Sequence, residues 1–149
     1  IQLFAENNDD WFAHYVQAEK NYVQKNYQLA VEDYTKAIEV ASDQLCLYMA
    51  RGKTYEKMNK YEEALHDFSF IINYPNVHHK DLIPALHARV RMHLILYNYE
   101  SMYKDYEALT AIDQNTPETE TNRKYSVLKN INSNRITAPS FKKQQYASE

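Results

Sequence analysis

The sequence predicts an all-α fold built from antiparallel helix pairs, and three observations carry this prediction. Of the 149 residues, one is glycine and four are proline, too few for the closely spaced turns of a β-sandwich or barrel. A pattern of apolar and aspartate residues recurs three times at nearly constant spacing along the chain. Within each copy, the apolar residues follow the spacing of one face of an α-helix.

The scarcity of glycine also bears on function. A dinucleotide fingerprint, a phosphate-binding loop and a nucleophile elbow each need more than one residue without a Cβ atom. The single cysteine, Cys46, excludes an intrachain disulfide and a zinc site built mainly from cysteines. No apolar run approaches the roughly 20 residues that span a bilayer. We therefore expect an intracellular, cytoplasmic protein that is not an enzyme, binds no cofactor or metal and does not enter a membrane.

The first helix pair is predicted in residues 10–43, after an N-terminal extension of residues 1–9. Its first helix covers Asp10 to Gln24. Its second helix follows the turn at Lys25 and Asn26, where asparagine can adopt the left-handed conformation that ends helices. The second helix carries the first copy of the repeated pattern: Tyr27, Ala30, Asp33, Tyr34 and Ala37.

The second pair is predicted in residues 44–79, with a first helix from Gln44 to Lys57 and a turn at Asn59 and Lys60. Ala64 is small because the two helices cross there, and a larger side chain would separate their backbones. The pattern recurs with an offset of 34 at each position: Tyr61, Ala64, Asp67, Phe68 and Ile71.

The third pair is predicted in residues 80–114, with a first helix from Asp81 to Leu96 and a turn at Tyr97 and Asn98. Its offset from the second pair is 38, and the loop Pro75 to Lys80 takes up the four additional residues. Val90 and Met102 replace smaller residues, so we expect these two helices to pack less closely. The third copy of the pattern is Tyr99, Met102, Asp105, Tyr106 and Leu109.

A seventh helix is predicted over residues 117–131, because Thr116 and Pro117 form a favourable helix start. It would cap the open end of the third pair. Residues 132–149 show no periodicity and form a basic tail. Residues 1–120 hold 11 Lys+Arg against 19 Asp+Glu, whereas residues 121–149 hold 6 against 1. The acidic body disfavours nucleic acid, and the tail could contact an acidic partner.

Three helix-turn-helix units of this length resemble the tetratricopeptide repeat (TPR) family. The resemblance covers about residues 10–114 and is strongest in the second unit, whereas His14 stands at an aromatic position of the first unit. It implies a right-handed superhelix of antiparallel helix pairs, with about seven helices in all. The residues of the second unit that carry the resemblance are Tyr48, Gly52, Tyr55, Tyr61, Ala64, Phe68 and Pro75.

The resemblance implies a partner-binding concave surface, lined by the first helix of each pair. Aromatic and cationic groups occur together on this surface, which favours an acidic or aromatic peptide. The alternative is that these side chains are merely solvated, or that a neighbouring helix covers them. The eight residues assigned to the surface are Phe12, Tyr15, Glu19, Met49, Lys53, Lys57, His87 and Arg91.

One family function is disfavoured by the residues themselves. TPR proteins that act as Hsp70 or Hsp90 co-chaperones grip a C-terminal carboxylate with asparagines, lysines and an arginine. Glu19 stands among the corresponding residues and would repel a carboxylate. The matching positions hold Tyr15, Glu19, Ala50, Pro84 and Ala88.

Other candidate sites favour ordinary structural roles. His87 and His93 are six residues apart and therefore lie on different helix faces, which argues against a shared metal ion. Adjacent carboxylates such as Glu62 and Glu63 diverge on a helix, and Cys46 is expected to be a packed thiol.

The sequence therefore predicts a non-catalytic scaffold, adaptor or assembly subunit that binds a partner polypeptide. Two alternatives stay open. One is the substrate-recruiting TPR module of a ubiquitin-ligase adaptor of the F-box type. The other is an RNA-associated helical-repeat protein that uses the basic tail.

Overall fold

The computed structural model describes residues 2–112, with side chains from residue 10 onward, and this part of the chain contains six helices and no strand. The predicted all-α class is confirmed. The predicted seventh helix over 117–131 and the tail over 132–149 lie outside the described residues. The helices are α1 (Gln2–Val23), α2 (Tyr27–Val40), α3 (Leu45–Lys57), α4 (Tyr61–Ile72), α5 (His79–Ile95) and α6 (Tyr99–Ile112).

The helices form three successive pairs, α1 with α2, α3 with α4 and α5 with α6. The largest difference in bounds is at α1, which begins at Gln2 instead of Asp10, so that residues 2–9 continue this helix. Each helix packs against the one before it and the one after it, and α3 also contacts α5. The first helices of the second and third pairs are therefore neighbours, as expected when helix pairs stack along one axis.

The turn within each pair contains one residue with left-handed backbone: Lys25 (φ 64°), Asn59 (φ 59°) and Tyr97 (φ 61°). Asparagine fills this role only in the second unit; in the other two turns the residue before the asparagine does so, which corrects the expectation. Each turn closes with a backbone hydrogen bond of 2.8–2.9 Å, donated by the residue that follows. The donors and acceptors are Asn26 to Asn21, Lys60 to Tyr55, and Asn98 to His93.

Gly52 lies at a close crossing of α3 and α4, inside the second pair. A Cβ atom added to it would stand 2.6 Å from Cε1 of Phe68, and the Phe68 side chain is fully buried. In the third pair, Val90 stands in place of Gly52 and Met102 in place of Ala64. Both are buried with Tyr106 in one cluster. The third pair thus accommodates larger side chains; its looser packing stays a prediction.

One buried ion pair joins the two helices of the second pair, and an equivalent ion pair joins the two helices of the third pair. Arg51 on α3 donates two hydrogen bonds to the carboxylate of Asp67 on α4, of 2.8 and 2.7 Å. Its third contact, 3.1 Å long, reaches the hydroxyl of Thr35 on α2, in the preceding unit. The arginine therefore fixes both its own pair and the register between units.

The third unit repeats this arrangement. Arg89 donates bonds of 2.7 and 2.6 Å to Asp105, and one of 3.1 Å to the hydroxyl of Ser69 on α4. Bidentate bonds between arginine and a carboxylate are among the strongest in proteins. The aspartates were visible in the repeated pattern; their arginine partners recur with the same offset of 38.

Candidate functional site

An open cavity of about 420 Å³ lies against α1, α3 and α5, the first helix of every pair. The second helices contribute only Tyr34 and Ile71. The cavity thus lies on the side of the first helices, where the resemblance to TPR proteins implies a concave surface, and we refer to it as the groove. Its lining residues are Tyr15, Glu19, Tyr22, Tyr34, Leu45, Cys46, Met49, Ala50, Lys53, Ile71, Lys80, Asp81 and Pro84.

Four of the eight predicted partner-binding residues line the groove: Tyr15, Glu19, Met49 and Lys53. The other four, Phe12, Lys57, His87 and Arg91, do not line this cavity. Phe12 is 54% exposed, and its ring centre lies 6.1 Å from that of the groove residue Tyr15. The guanidinium of Arg91 lies 3.2 Å from the carboxylate of Glu56, so its charge is already paired.

Two groove residues outside the eight predicted partner-binding residues occupy repeat positions equivalent to one of those eight. Cys46 and Pro84 correspond to Phe12 by the offsets of 34 and 38, and both line the groove. The offsets could have identified them. Lys80 and Asp81 could not have been found in this way, because they lie at the start of α5, beside the loop that breaks the 34-residue period.

On the α1 side of the groove, a carboxylate is held among phenol rings. The hydroxyl of Tyr34 donates a hydrogen bond of 2.5 Å to Oε1 of Glu19, and the Tyr15 ring centre lies 6.2 Å from that of Tyr34. Burial, followed by the hydrogen bond and charge of Glu19, raises the pKa of Tyr34 strongly. Burial and Glu19 also raise the pKa of Tyr15. Both phenols therefore stay neutral near pH 7, and Glu19 supplies the negative charge.

One row of equivalent positions changes sign along the groove. Glu19 on α1, Lys53 on α3 and Arg91 on α5 are separated by the repeat offsets of 34 and 38. Lys53 is exposed in the groove, while Arg91 is bound to Glu56. Within the groove, the α1 side therefore presents an acidic group and the α3 side a basic group, whereas the third member of the row lies outside the cavity as a neutralised pair.

Cys46 corrects a further expectation. We expected a packed thiol, but Cys46 is exposed and lines the groove. Cys46 lies in the first turn of α3, on the side of the groove that Asp81 and Pro84 also line. Desolvation by the groove walls nevertheless raises the pKa of the thiol, which favours the unreactive protonated form near pH 7.

The described residues contain neither a metal-ligand cluster nor a membrane-crossing helix. No three side chains of histidine, cysteine, aspartate or glutamate within them come together as a metal site would require. None of the six helices combines the length and apolar composition of a membrane-crossing segment.

Three stacked antiparallel helix pairs, with their first helices lining one groove, define a TPR-type helical repeat. Among solved structures, the TPR domain of OM64 from Arabidopsis is similar, with a TM-score of 0.66 and 18% sequence identity. The match covers 83% of this chain and 98% of that domain. At this identity the likeness establishes the fold alone. No family model matches the sequence, and no curated protein does.

Proposed function

We propose that this chain is a non-catalytic interaction module, a scaffold or adaptor, that holds an extended segment of a partner polypeptide in the groove. The observation that carries the proposal is the groove itself. Its volume of about 420 Å³ lies within the range of about 300–1,000 Å³ typical of binding pockets. A cavity that all three first helices build together is suited to a ligand that extends across the repeats.

The lining of the groove supports a polypeptide ligand. Tyrosine rings provide apolar contact area and a polar edge at low cost in conformational entropy. Leu45, Met49 and Ile71 add an apolar floor, and Met49 can adapt its shape to different side chains. Lys53 and Lys80 supply positive charge that an acidic side chain of the partner can approach.

Cys46 offers a direct test, because it is the only cysteine in the sequence and lines the groove. Dodecapeptides are selected from a random phage-displayed library on the unmodified chain, and their affinity is measured before and after Cys46 reacts with a bulky maleimide. Labelling is done at about pH 8, because the thiolate is the reactive form. We expect labelling to weaken binding by about tenfold or more, equivalent to about 1.4 kcal/mol.

The matched control moves the cysteine away from the groove. In the double variant Cys46→Ser, Glu39→Cys, the same label is attached to an exposed position on α2, and peptide affinity should be unchanged. Selected peptides that bind the Cys46-labelled chain as tightly as the unlabelled chain would contradict the proposal. So would a failure of the unmodified chain to select any peptide.

A further inference from the structure

Glu19 is a groove carboxylate without a cationic partner in the described chain. Among residues 10–112, the ion pairs of 4.0 Å or less involve other acidic groups, and none involves Glu19. Its hydrogen-bond partners are neutral phenols: the hydroxyl of Tyr34 on Oε1 and that of Tyr15. By contrast, Glu56, also on the first helix of a pair, is bound to Arg91. An unneutralised carboxylate inside a groove favours a cation that comes from the ligand.

The surroundings of Glu19 suit a cation in particular. Tyr15 and Tyr22 line the groove with it and are partly exposed, and the faces of tyrosine rings attract an ammonium or guanidinium group. Such an attraction is worth about 0.5–2 kcal/mol, depending on desolvation. The position of Glu19 among the rings therefore combines charge pairing with ring contact at one point.

An exposed apolar stripe on α1 lies beside this point. Phe12, Val16 and Val23 are 54%, 38% and 77% exposed, and their spacing of four and seven residues places them on one helix face. Val16 and Val23 line a second, shallower hollow, whose wall also includes Glu19, Lys20 and Gln24. Apolar contact next to a carboxylate is what the long aliphatic stem of a lysine or arginine needs.

We infer that the Glu19 end of the groove recognises a lysine or arginine side chain of the bound polypeptide, flanked by apolar residues that contact Val16 and Val23. The cationic head lies against the Glu19 carboxylate and the tyrosine rings, and the flanking residues cover the exposed stripe. This inference rests on the proposed function of the groove and specifies its ligand. It also orients the partner, since Lys53 at the next repeat position repels a second cation.

Three synthetic heptapeptides of alternating leucine and serine, acetylated and amidated, serve as probes. They differ only at the central residue, which is lysine, norleucine or glutamate; norleucine keeps the apolar stem without the charge. Binding to the full chain is measured by fluorescence anisotropy. We expect the lysine peptide to bind about tenfold more tightly than the norleucine peptide, with the difference reduced at high salt.

Variants of Glu19 decide the assignment. Glu19→Gln keeps an acceptor for the Tyr34 hydroxyl and should abolish the preference for lysine, whereas Glu19→Lys should turn it into a preference for glutamate. Glu39→Gln, an exposed position on α2, should change nothing, and circular dichroism checks that each variant folds. Equal binding of the lysine and norleucine peptides to the original chain would overturn the inference. A lysine preference that survives in Glu19→Gln would also overturn it.

The outcomes separate this inference from the function on which it rests. Binding of the norleucine peptide that is blocked by the maleimide on Cys46, with no gain from lysine, leaves the groove as a binding site and removes the role of Glu19. Absence of binding by all three peptides counts against both. Removal of the basic residues 132–149 should leave the affinities unchanged. Tighter lysine-peptide binding after that truncation would identify the tail as the occupant and overturn the assignment to a partner.

Discussion

The first unit and the two that follow share a residue pattern but differ in the chemistry that holds them together. Asp67 and Asp105 each receive two hydrogen bonds from a buried arginine. Their counterpart Asp33 receives one bond of 2.8 Å from Asn21 and lies 3.7 Å from the exposed Lys36. A repeated residue thus marks a repeated position in the fold, while its energetic role depends on the partner that each unit supplies.

The same contrast holds on the groove side. The first unit places Glu19 where the second places Lys53 and the third places Arg91. Glu19 and Lys53 line the groove, whereas Arg91 is bound to Glu56. We relate the difference in charge between Glu19 and Lys53 to the ligand, whereas the differences at the aspartates concern stability.

The largest effect is expected from breaking a buried ion pair. In Asp67→Ala, Arg51 would stay in a largely buried position, its side chain 15% exposed, without a carboxylate. The loss in free energy of unfolding should be about 3–5 kcal/mol, the usual result of leaving a buried charge unpaired. Asp33→Ala should lose less, about 1.5–3 kcal/mol, the value of a hydrogen bond to a charged group. Urea denaturation followed by circular dichroism measures both.

Asp105 of the third unit is held by an arginine in the same way as Asp67. Asp105→Ala should therefore lose about as much stability as Asp67→Ala. Equal losses in all three alanine variants would show that the aspartates act alike and would break the comparison. The double variant Arg51→Met, Asp67→Leu tests the cause further. It should recover much of the stability lost in Asp67→Ala, because apolar residues of similar volume often replace buried ion pairs without loss.

The second prediction contrasts the small residue of the second unit with the larger one of the third. Gly52→Val should lower the free energy of unfolding by about 1–3 kcal/mol through overpacking, since its Cβ would meet the Phe68 ring at 2.6 Å. The third unit already carries Val90 at this position, buried with Tyr106. Adding Phe68→Leu to Gly52→Val should restore part of the loss. A neutral or stabilising Gly52→Val would show that the crossing is not tight.

The periodic features of the fold followed from the sequence, because a helix pair repeated at a nearly fixed spacing determines which faces meet. The positions of Ala30, Ala64 and Phe68 in the core, all fully buried, were readable in this way. The concave surface was assigned through the resemblance to TPR proteins, and four of its eight assigned residues, Tyr15, Glu19, Met49 and Lys53, line the groove.

What could not be predicted depends on contacts between units. The pairing of Arg91 with Glu56 joins residues 35 positions apart, and no periodic pattern reveals which cation is neutralised in this way. The exposure of Cys46 depends on the open space between α1, α3 and α5, which a sequence does not display. The sequence therefore predicts which helix faces meet, but it does not predict which side chains pair across the helices.

The third prediction concerns the turns, where the units again differ. Lys25 and Tyr97 adopt left-handed backbone, which an ordinary residue adopts at a cost of about 1–2 kcal/mol and glycine adopts readily. Lys25→Gly and Tyr97→Gly should each raise the free energy of unfolding by about 1 kcal/mol, after the larger entropy of glycine in the unfolded chain is included. Asn59→Gly should give less, because asparagine tolerates this conformation. Thermal melts compare the three; equal gains would mean that Asn59 has no advantage.

The smallest effect is expected at His93, which stands in the third unit where the second has Tyr55. Burial lowers the pKa of His93, although the nearby charge of Asp105 opposes this, and its buried Nδ1 has no hydrogen-bond partner among the described residues. The folded chain therefore binds a proton at His93 less readily than the unfolded chain does. As pH falls below about 6.5, the unfolded state gains its proton first, and stability declines until pH passes the lowered folded pKa.

Replacing His93 by tyrosine, the residue of the second unit, should remove this contribution. The decrease in free energy of unfolding between pH 7.5 and pH 5.5 should then be smaller in His93→Tyr than in the original chain. The other five histidines are present in both chains, so their contributions cancel in the difference between the two pH profiles. A steeper decline in His93→Tyr would mean that protonated His93 is stabilised by Asp105, and that charge rather than burial controls this position in the third unit.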